Sequence, residues 1–328
     1  MKAIVQDQYG STDVLRLEEI EVPAVRERDV LVGVQAAGLD PGVWHLMTGT
    51  PYLVRAMGFG LRRPKIRVRG SDLAGRVETV GAEVTGFHPG DEVMGIGEGS
   101  FAEYAIAPPD RLVPKPAKLT FEQAAVVPIS GLSALHAVRD VGKVRSGQRV
   151  MVIGAAGGVG SYAVQIAKAS GAEVTGVCST AKTQLVRSIG ADDVIDYTRE
   201  DLGDGTGRYD VIVDTAGRRP LSQLRRALAP RGTLVIVGGD GGGRWLGGFD
   251  RQIVRAPILS LFSGQTLRGL ISKETREDLE RLTELIDAGQ VVPVVDRTYP
   301  LHEAPDAIRY LAEGHPTGKI AICVTDAT

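Results

Sequence analysis

The residues with the most specific spacing are Gly154, Gly157, Gly158 and Gly160, in the run RVMVIGAAGGVGSYAVQIAKASGAEVTGVCST. A β-branched stretch feeds these glycines and a helix-like stretch leaves them. In that setting the turn lets backbone approach a pyrophosphate, packs helix on strand, and aims helix N-terminal amides and a favourable dipole at the anion. Ala155 and Val159 stand among the glycines, so Ala155, Gly157, Gly158 and Val159 are the turn positions expected at a dinucleotide. A plain βα turn would explain an isolated motif nearly as well. Strand, turn, helix and second strand in order favour the dinucleotide.

The end of that second strand selects between cofactors, because a carboxylate there would bond the ribose hydroxyls and repel a 2′-phosphate. The sequence has Cys178-Ser179-Thr180 instead. Ser179 and Thr180 can donate hydrogen bonds, Lys182 can neutralise phosphate charge, and Tyr197 can approach from the following strand. NADPH is therefore the expected cofactor. Taken singly, Lys182 reads equally well as a solvated helix residue and Tyr197 as a packing residue, and use of NADH stays open.

These positions need a parallel sheet to hold them. MVIGAA, EVTGVCS, DVIDY, DVIVDTAG and TLVIVGG are apolar, β-branched runs separated by helical segments such as YAVQIAKAS and KTQLVRSIG, which is the signature of βαβ units. The first third reads differently, as strands in AIVQ, DVLVGVQAAG, GRVETVG, DEVMGI and FAEYAIAP. TFEQAAVV opens with a plausible N-cap and begins the change of texture near Thr120. After Arg255 come an amphipathic helix in KETREDLERLTELIDAG, then VVPVVDRTYP, a helix in HEAPDAIRYLAEG and a final strand, KIAICV. That last part has too few strands to stand alone and is expected to complete the N-terminal β-rich unit.

At 328 residues two domains are expected. Net charge of -2 gives no overall footprint for nucleic acid or an anionic membrane. Two cysteines, Cys178 and Cys323, supply neither a four-cysteine zinc site nor a disulfide framework, so a reducing cytoplasm is the expected compartment. The opening MKAIVQDQYG lacks a signal-peptide pattern, and no apolar run approaches membrane-spanning length.

Several separated motifs resemble the zinc-free quinone oxidoreductase and enone reductase branch of the medium-chain dehydrogenase/reductase superfamily. They are AAGLDPGVWHLMTG, RGSDLAGRVETVG, FHPGDEVMG, GSFAEYAIAP, LTFEQAAVVPISGLSAL, GAAGGVG, ADDVIDYTRED, RGTLVIVGG and GHPTGKIAI. The resemblance implies an α/β fold, with a Rossmann doubly wound parallel-sheet NADPH domain (122–256) inserted in a β-rich GroES-like catalytic domain (1–121 plus 257–328). It also implies, frequently, a homodimer. At the positions of the zinc ligands of the related alcohol dehydrogenases this chain has Asp40, Ser71 and a residue near Ile129, a set that does not suit zinc. A site made of Asp40, Asp72 and His45 is a weaker metal alternative.

Without a Lewis acid, simple alcohol or aldehyde chemistry loses its main alkoxide stabilisation, whereas a quinone or α,β-unsaturated carbonyl delocalises the charge that hydride addition creates. Asp40, Trp44 and Tyr52 are the candidate catalytic residues on the loop after VGVQAAG, with Met57 and Phe59 as an apolar wall. Asp40 stands where relatives commonly place Asn, and Trp44 and Tyr52 read also as packing or lid residues. By resemblance, Ser130, Ser133, Val237, Gly238 and Gly239 are expected near nicotinamide, Gln265 near cofactor or substrate, and Lys319 near the pyrophosphate. The alternatives are an NADP(H)-dependent alcohol or carbonyl oxidoreductase and a non-catalytic NADPH-binding sensor.

Overall fold

The computed structural model describes residues 1–202, 209–238, 243, 245–314 and 316–325. Among these, strands β1 (Lys2–Val5), β2 (Arg16–Glu19), β3 (Val30–Leu39), β4 (Asp72–Val80), β5 (Glu92–Ile96), β6 (Tyr104–Ala107) and β7 (Leu112–Pro114) come first. β8 (Arg149–Ile153), β9 (Glu173–Cys178), β10 (Asp193–Asp196), β11 (Tyr209–Asp214), β12 (Leu228–Ile236) and β13 (Thr266–Gly269) follow. β14 (Val295–Pro300) and β15 (Lys319–Cys323) close the series. The chain divides into two compact units. One comprises Met1–Leu132, Glu274–Ala288 and Pro293–Thr328, the other Ser133–Lys273 and Gly289–Val292.

In the first unit β14-β15-β3-β4-β5-β7 form one sheet, β6 pairs with β3, and β1 and β2 form a separate antiparallel pair. β15 joins through antiparallel pairing with β3, Ile320 opposite Leu39. The C-terminal strands thus complete the N-terminal unit, with Ile320 and Ile322 of β15 in one core with Val32, Val34 and Leu39 and its other face buried too. Helix Phe121–Ala125 starts as the sequence indicates. The Thr120 hydroxyl accepts from the Gln123 amide while the Gln123 side chain accepts from the Thr120 amide, satisfying two otherwise orphaned donors.

The second unit is a six-stranded parallel sheet in the order β10-β9-β8-β11-β12-β13. Counted from β8 this is 3-2-1-4-5-6, the doubly wound order that opens a crevice at the carboxyl ends of β8 and β11. Met151, Ile153, Ile212, Leu234, Ile236 and Leu267 carry its core. β12, which carries most of the run RGTLVIVGG, is an internal strand, with β13 as the outer one. The unit bounds differ from the sequence expectation: residues 257–273, expected with the catalytic domain, belong to the second unit, since β13 extends its sheet and helix Ala256–Leu261 packs there, and residues 122–132, expected with the cofactor domain, belong to the first. β13 is four residues long and carries an arginine, too short and polar a run to stand out by periodicity.

Candidate functional site

β8 ends at Ile153 and runs into Gly154, whose φ of +79° suits glycine, and Gly157 caps the helix Gly158–Ala169. A Cβ on Gly160 would lie 2.0 Å from the Gly154 carbonyl oxygen, so that glycine is what lets the helix close onto the strand. The amides of Gly158, Val159 and Gly160 open the helix and have no acceptor within it, which makes this turn an anion cradle. Ala155 is buried beneath the turn while Gly157, Gly158 and Val159 stay half-buried. The four turn residues picked from sequence therefore sit together at the carboxyl end of β8.

The neighbouring strand ends are braced against this turn. Thr215, just past β11, donates its hydroxyl to the Ile153 carbonyl at 2.8 Å. The amides of Val237 and Gly238 both donate to the Asp214 carbonyl, and a Cβ on Gly238 would lie 2.0 Å from the Thr215 oxygen. Asp214 is fully buried. Its carboxylate accepts from the Gly217 amide at 3.1 Å and from Arg251 at 2.7 Å, and Arg251 also donates to the Gly217 carbonyl at 2.6 Å. The Gln252 amide donates to the carbonyls of Val237 and Gly238. Arg251 and Gln252 thus tie down the ends of β11 and β12 from one helical turn. Gly239 lies outside the described residues.

At the end of β9, Ser179 and Lys182 are half-buried and Tyr197 is exposed, its amide donating to the Cys178 carbonyl. The sequence reading missed Asp196, which closes β10 directly opposite Cys178. Its oxygens are committed. One accepts from the Thr180 hydroxyl and the other from the Thr198 hydroxyl and amide, with Thr180 first among the contacts that hold its carboxyl below the usual range. Thr180 is therefore occupied, and Ser179, Lys182 and Tyr197 remain as the phosphate-side candidates.

One residue expected near cofactor is placed otherwise. Gln265 precedes β13, at the amino end of the sheet and away from the crevice. Its side-chain amide accepts from Arg225 and donates to the carbonyls of Arg225, Leu228 and Ala229, so it staples two strands. Lys319 is buried in the first unit with its ammonium 3.6 Å from the Asp72 carboxylate. Asp72 also accepts from the Ile129 amide, and Gly38 leaves it room, since a Cβ there would meet the carboxylate at 3.0 Å. Burial outweighs the Lys319 cation and pushes the Asp72 carboxyl up to about 8. Ser130 is buried in the first unit, and Ser133 is half-buried in the second.

The three catalytic candidates have structural occupations. Asp40 is buried and N-caps helix Pro41–Thr48, one oxygen accepting from the Gly42 amide at 2.7 Å, which is what Asp before Pro at N1 favours. Trp44 packs on the first unit's core. The Tyr52 ring lies 4.8 Å from the Arg55 guanidinium, which stacks at 4.3 Å on Tyr9 as well. His45 faces the Thr50 carbonyl at 2.9 Å. Met57 and Phe59 are exposed and form no wall within their unit. Among the described residues no group of three or more His, Cys, Asp or Glu is placed to hold a metal ion.

Residues 26–117 match the alcohol dehydrogenase GroES-like domain, and residues 189–322 match the zinc-binding dehydrogenase family. The chain is 30% identical to the chloroplast envelope quinone oxidoreductase homolog of Arabidopsis thaliana, over 98% of each. It is 32% identical to 2-methylene-furan-3-one reductase of Solanum lycopersicum, over 98% of this chain and 79% of that protein. Among solved structures, the quinone oxidoreductase of Escherichia coli complexed with NADPH superposes with a TM-score of 0.84 at 26% identity, covering 99% of this chain and 100% of the other.

Proposed function

The chain belongs to the medium-chain dehydrogenase/reductase superfamily, in its quinone oxidoreductase-like branch, and on that footing we propose that it is an NADPH-dependent reductase of quinones or α,β-unsaturated carbonyls working without zinc. The observation that carries this reading is the glycine turn closed by Gly160 beside the braced ends of β11 and β12. The turn amides hold the pyrophosphate, and Ser179, Lys182 and Tyr197 receive the 2′-phosphate. Val237 and Gly238 offer bare backbone to the nicotinamide. Bound NADPH supplies the hydride for conjugate addition. Asp214 and Arg251 keep the crevice floor in one geometry, which a positioning mechanism needs.

Zinc does not fit the residues present. Asp40 is engaged as a helix cap, Ser71 offers a hydroxyl, and Ile129 has no donor side chain, its amide serving Asp72. A zinc-dependent alcohol reaction would need at least one thiolate or imidazole among them. Conjugated acceptors tolerate this lack because the charge spreads to an oxygen that few donors can hold.

A second copy fits the outer strand. Among the described residues β12 is the one strand paired with β13, whose Leu267 amide also donates to the Ser260 hydroxyl, and Ile258, Leu261, Phe262 and Ile271 nearby are each at least half exposed. An unpaired strand edge with apolar neighbours supports a homodimer. A reducing cytoplasmic setting is consistent with Cys178 and Cys323 both being free thiols. Spectrophotometric turnover on chelator-treated protein tests the reading, with quinones, enones and aldehydes as acceptors. NADPH should be consumed with conjugated acceptors in preference to NADH, and Lys182→Ala should narrow that preference. Consumption only with aldehydes, or only after zinc is added, would overturn it.

A further inference from the structure

The whole-chain charge of -2 conceals a local segregation: between Asp40 and Asp72 the sequence has no Asp or Glu but six cations, Arg55, Arg62, Arg63, Lys65, Arg67 and Arg69. Three of these are consumed inside the unit. Arg55 is stacked between Tyr9 and Tyr52, Arg67 bonds Asp7, and Arg69 is buried. Arg62, Arg63 and Lys65 are exposed and make no ion pair among the described residues. Just before them Met57, Phe59 and Leu61 are 63%, 38% and 73% exposed, at alternate positions.

That exposure is enforced rather than incidental. Gly58 and Gly60 adopt φ of +105° and +112°, conformations that glycine alone takes readily. The Tyr9 hydroxyl donates to the carbonyls of Phe59 and Gly60, and the Lys65 amide donates back to the Phe59 carbonyl at 2.9 Å. A Cβ on Gly60 would lie 2.1 Å from the Arg63 carbonyl oxygen, so the turn is closed tightly. The Arg55 stack and the Tyr9 bonds thus hold three apolar side chains in water, next to three unpaired cations.

We propose that the turn Met57–Lys65 docks the protein peripherally on an anionic lipid bilayer, with Met57, Phe59 and Leu61 entering the interface and Arg62, Arg63 and Lys65 meeting lipid phosphates. An apolar tip rimmed by cations is what an interfacial anchor requires. A protein partner fits less well, because a stable interface buries roughly 1,000 Å² or more and a single turn offers a fraction of that. A bilayer needs no complementary shape. No helix of the described residues is long and apolar enough to cross a membrane, so the attachment is superficial. This goes beyond the proposed reductase activity and does not rest on it.

Flotation of the intact protein with vesicles tests the proposal, comparing phosphatidylcholine alone with phosphatidylcholine containing phosphatidylglycerol. The protein should float with the anionic vesicles at low salt and be released at high salt. R62Q/R63Q/K65Q should lower partition by about two orders of magnitude, from three surface cations at about a factor of five each. M57S/F59S/L61S should lower it too, and Leu61→Ser alone, at the most exposed position, should do so in part. Melting temperature and NADPH affinity report that each variant is folded. Failure to float on anionic vesicles would overturn the proposal, as would flotation indifferent to the apolar substitutions. Preferential retention on duplex DNA would overturn it as well, assigning the cations to nucleic acid.

Discussion

Arg251 and Asp214 form a buried ion pair whose loss can be measured. Removing the arginine leaves a carboxylate at 0% exposure without its counter-charge, so Arg251→Ala should cost about 3–5 kcal/mol in chemical denaturation and weaken NADPH binding. Adding Asp214→Asn should recover much of the stability, because the uncompensated charge is then gone. Asp72 supplies a second residue-scale test. An ordinary carboxyl ionises near 4, but folding raises this one to about 8, so between those values the native state holds a proton that the unfolded chain has lost. Its contribution to stability is full below that window and is lost as pH rises through about 8. Asp72→Asn keeps the acceptor for Ile129 and should flatten that part of the pH dependence of unfolding, whereas an unchanged slope would assign the dependence to other groups. The Asp214 position is visible in sequence as a polar residue ending an apolar strand. Nothing in the sequence announces Arg251, which reaches it across 37 residues. Gln265 misled for a related reason: residue type says what a side chain can bond, and only the fold shows the partners that have taken it.

At the scale of elements, the glycine turn was legible because two of its positions, Gly154 with its positive φ and Gly160 against the Gly154 carbonyl, admit no side chain. Gly160→Ala should push the helix Gly158–Ala169 off β8, destabilise the protein by about 1–3 kcal/mol and sharply reduce NADPH affinity in calorimetry. Strands with long β-branched runs, β3, β8, β9, β11 and β12, were equally plain. Those that escaped are short or charged: β2 reads RLEE, β7 has three residues, and β13 reads TLRG. Sheet pairing makes them strands, since their own pattern buries too little to indicate it. The missed β13 also moved the end of the cofactor unit, as it is the last strand of that sheet. Asp196 was overlooked although Tyr197 beside it was named, because only the strand register places Asp196 opposite Cys178, where its carboxylate takes the Thr180 hydroxyl.

At the scale of the whole molecule, a C-terminal part too small to stand alone pointed to an interrupted β-rich unit, whereas the change of periodicity near Thr120 precedes the observed division after Leu132, because the helix Phe121–Ala125 stays with the first unit. Net charge was a poorer guide, since a sum near zero hides the acid-free stretch from 41 to 71. Association belongs to this scale. Leu261→Glu with Phe262→Glu places two charges beside the open edge of β13 and should convert a dimer to a monomer in sedimentation equilibrium. A wild-type protein that sediments as a monomer would remove the edge-pairing reading. The central claim, hydride transfer from NADPH to a conjugated acceptor without metal, is tested most directly with NADPH deuterated at the nicotinamide C4. Metal-stripped protein should deliver the label to the β-carbon of an α,β-unsaturated ketone, leaving the carbonyl intact. Label at the carbonyl carbon of an alcohol product, or transfer that appears only when zinc is restored, would contradict it.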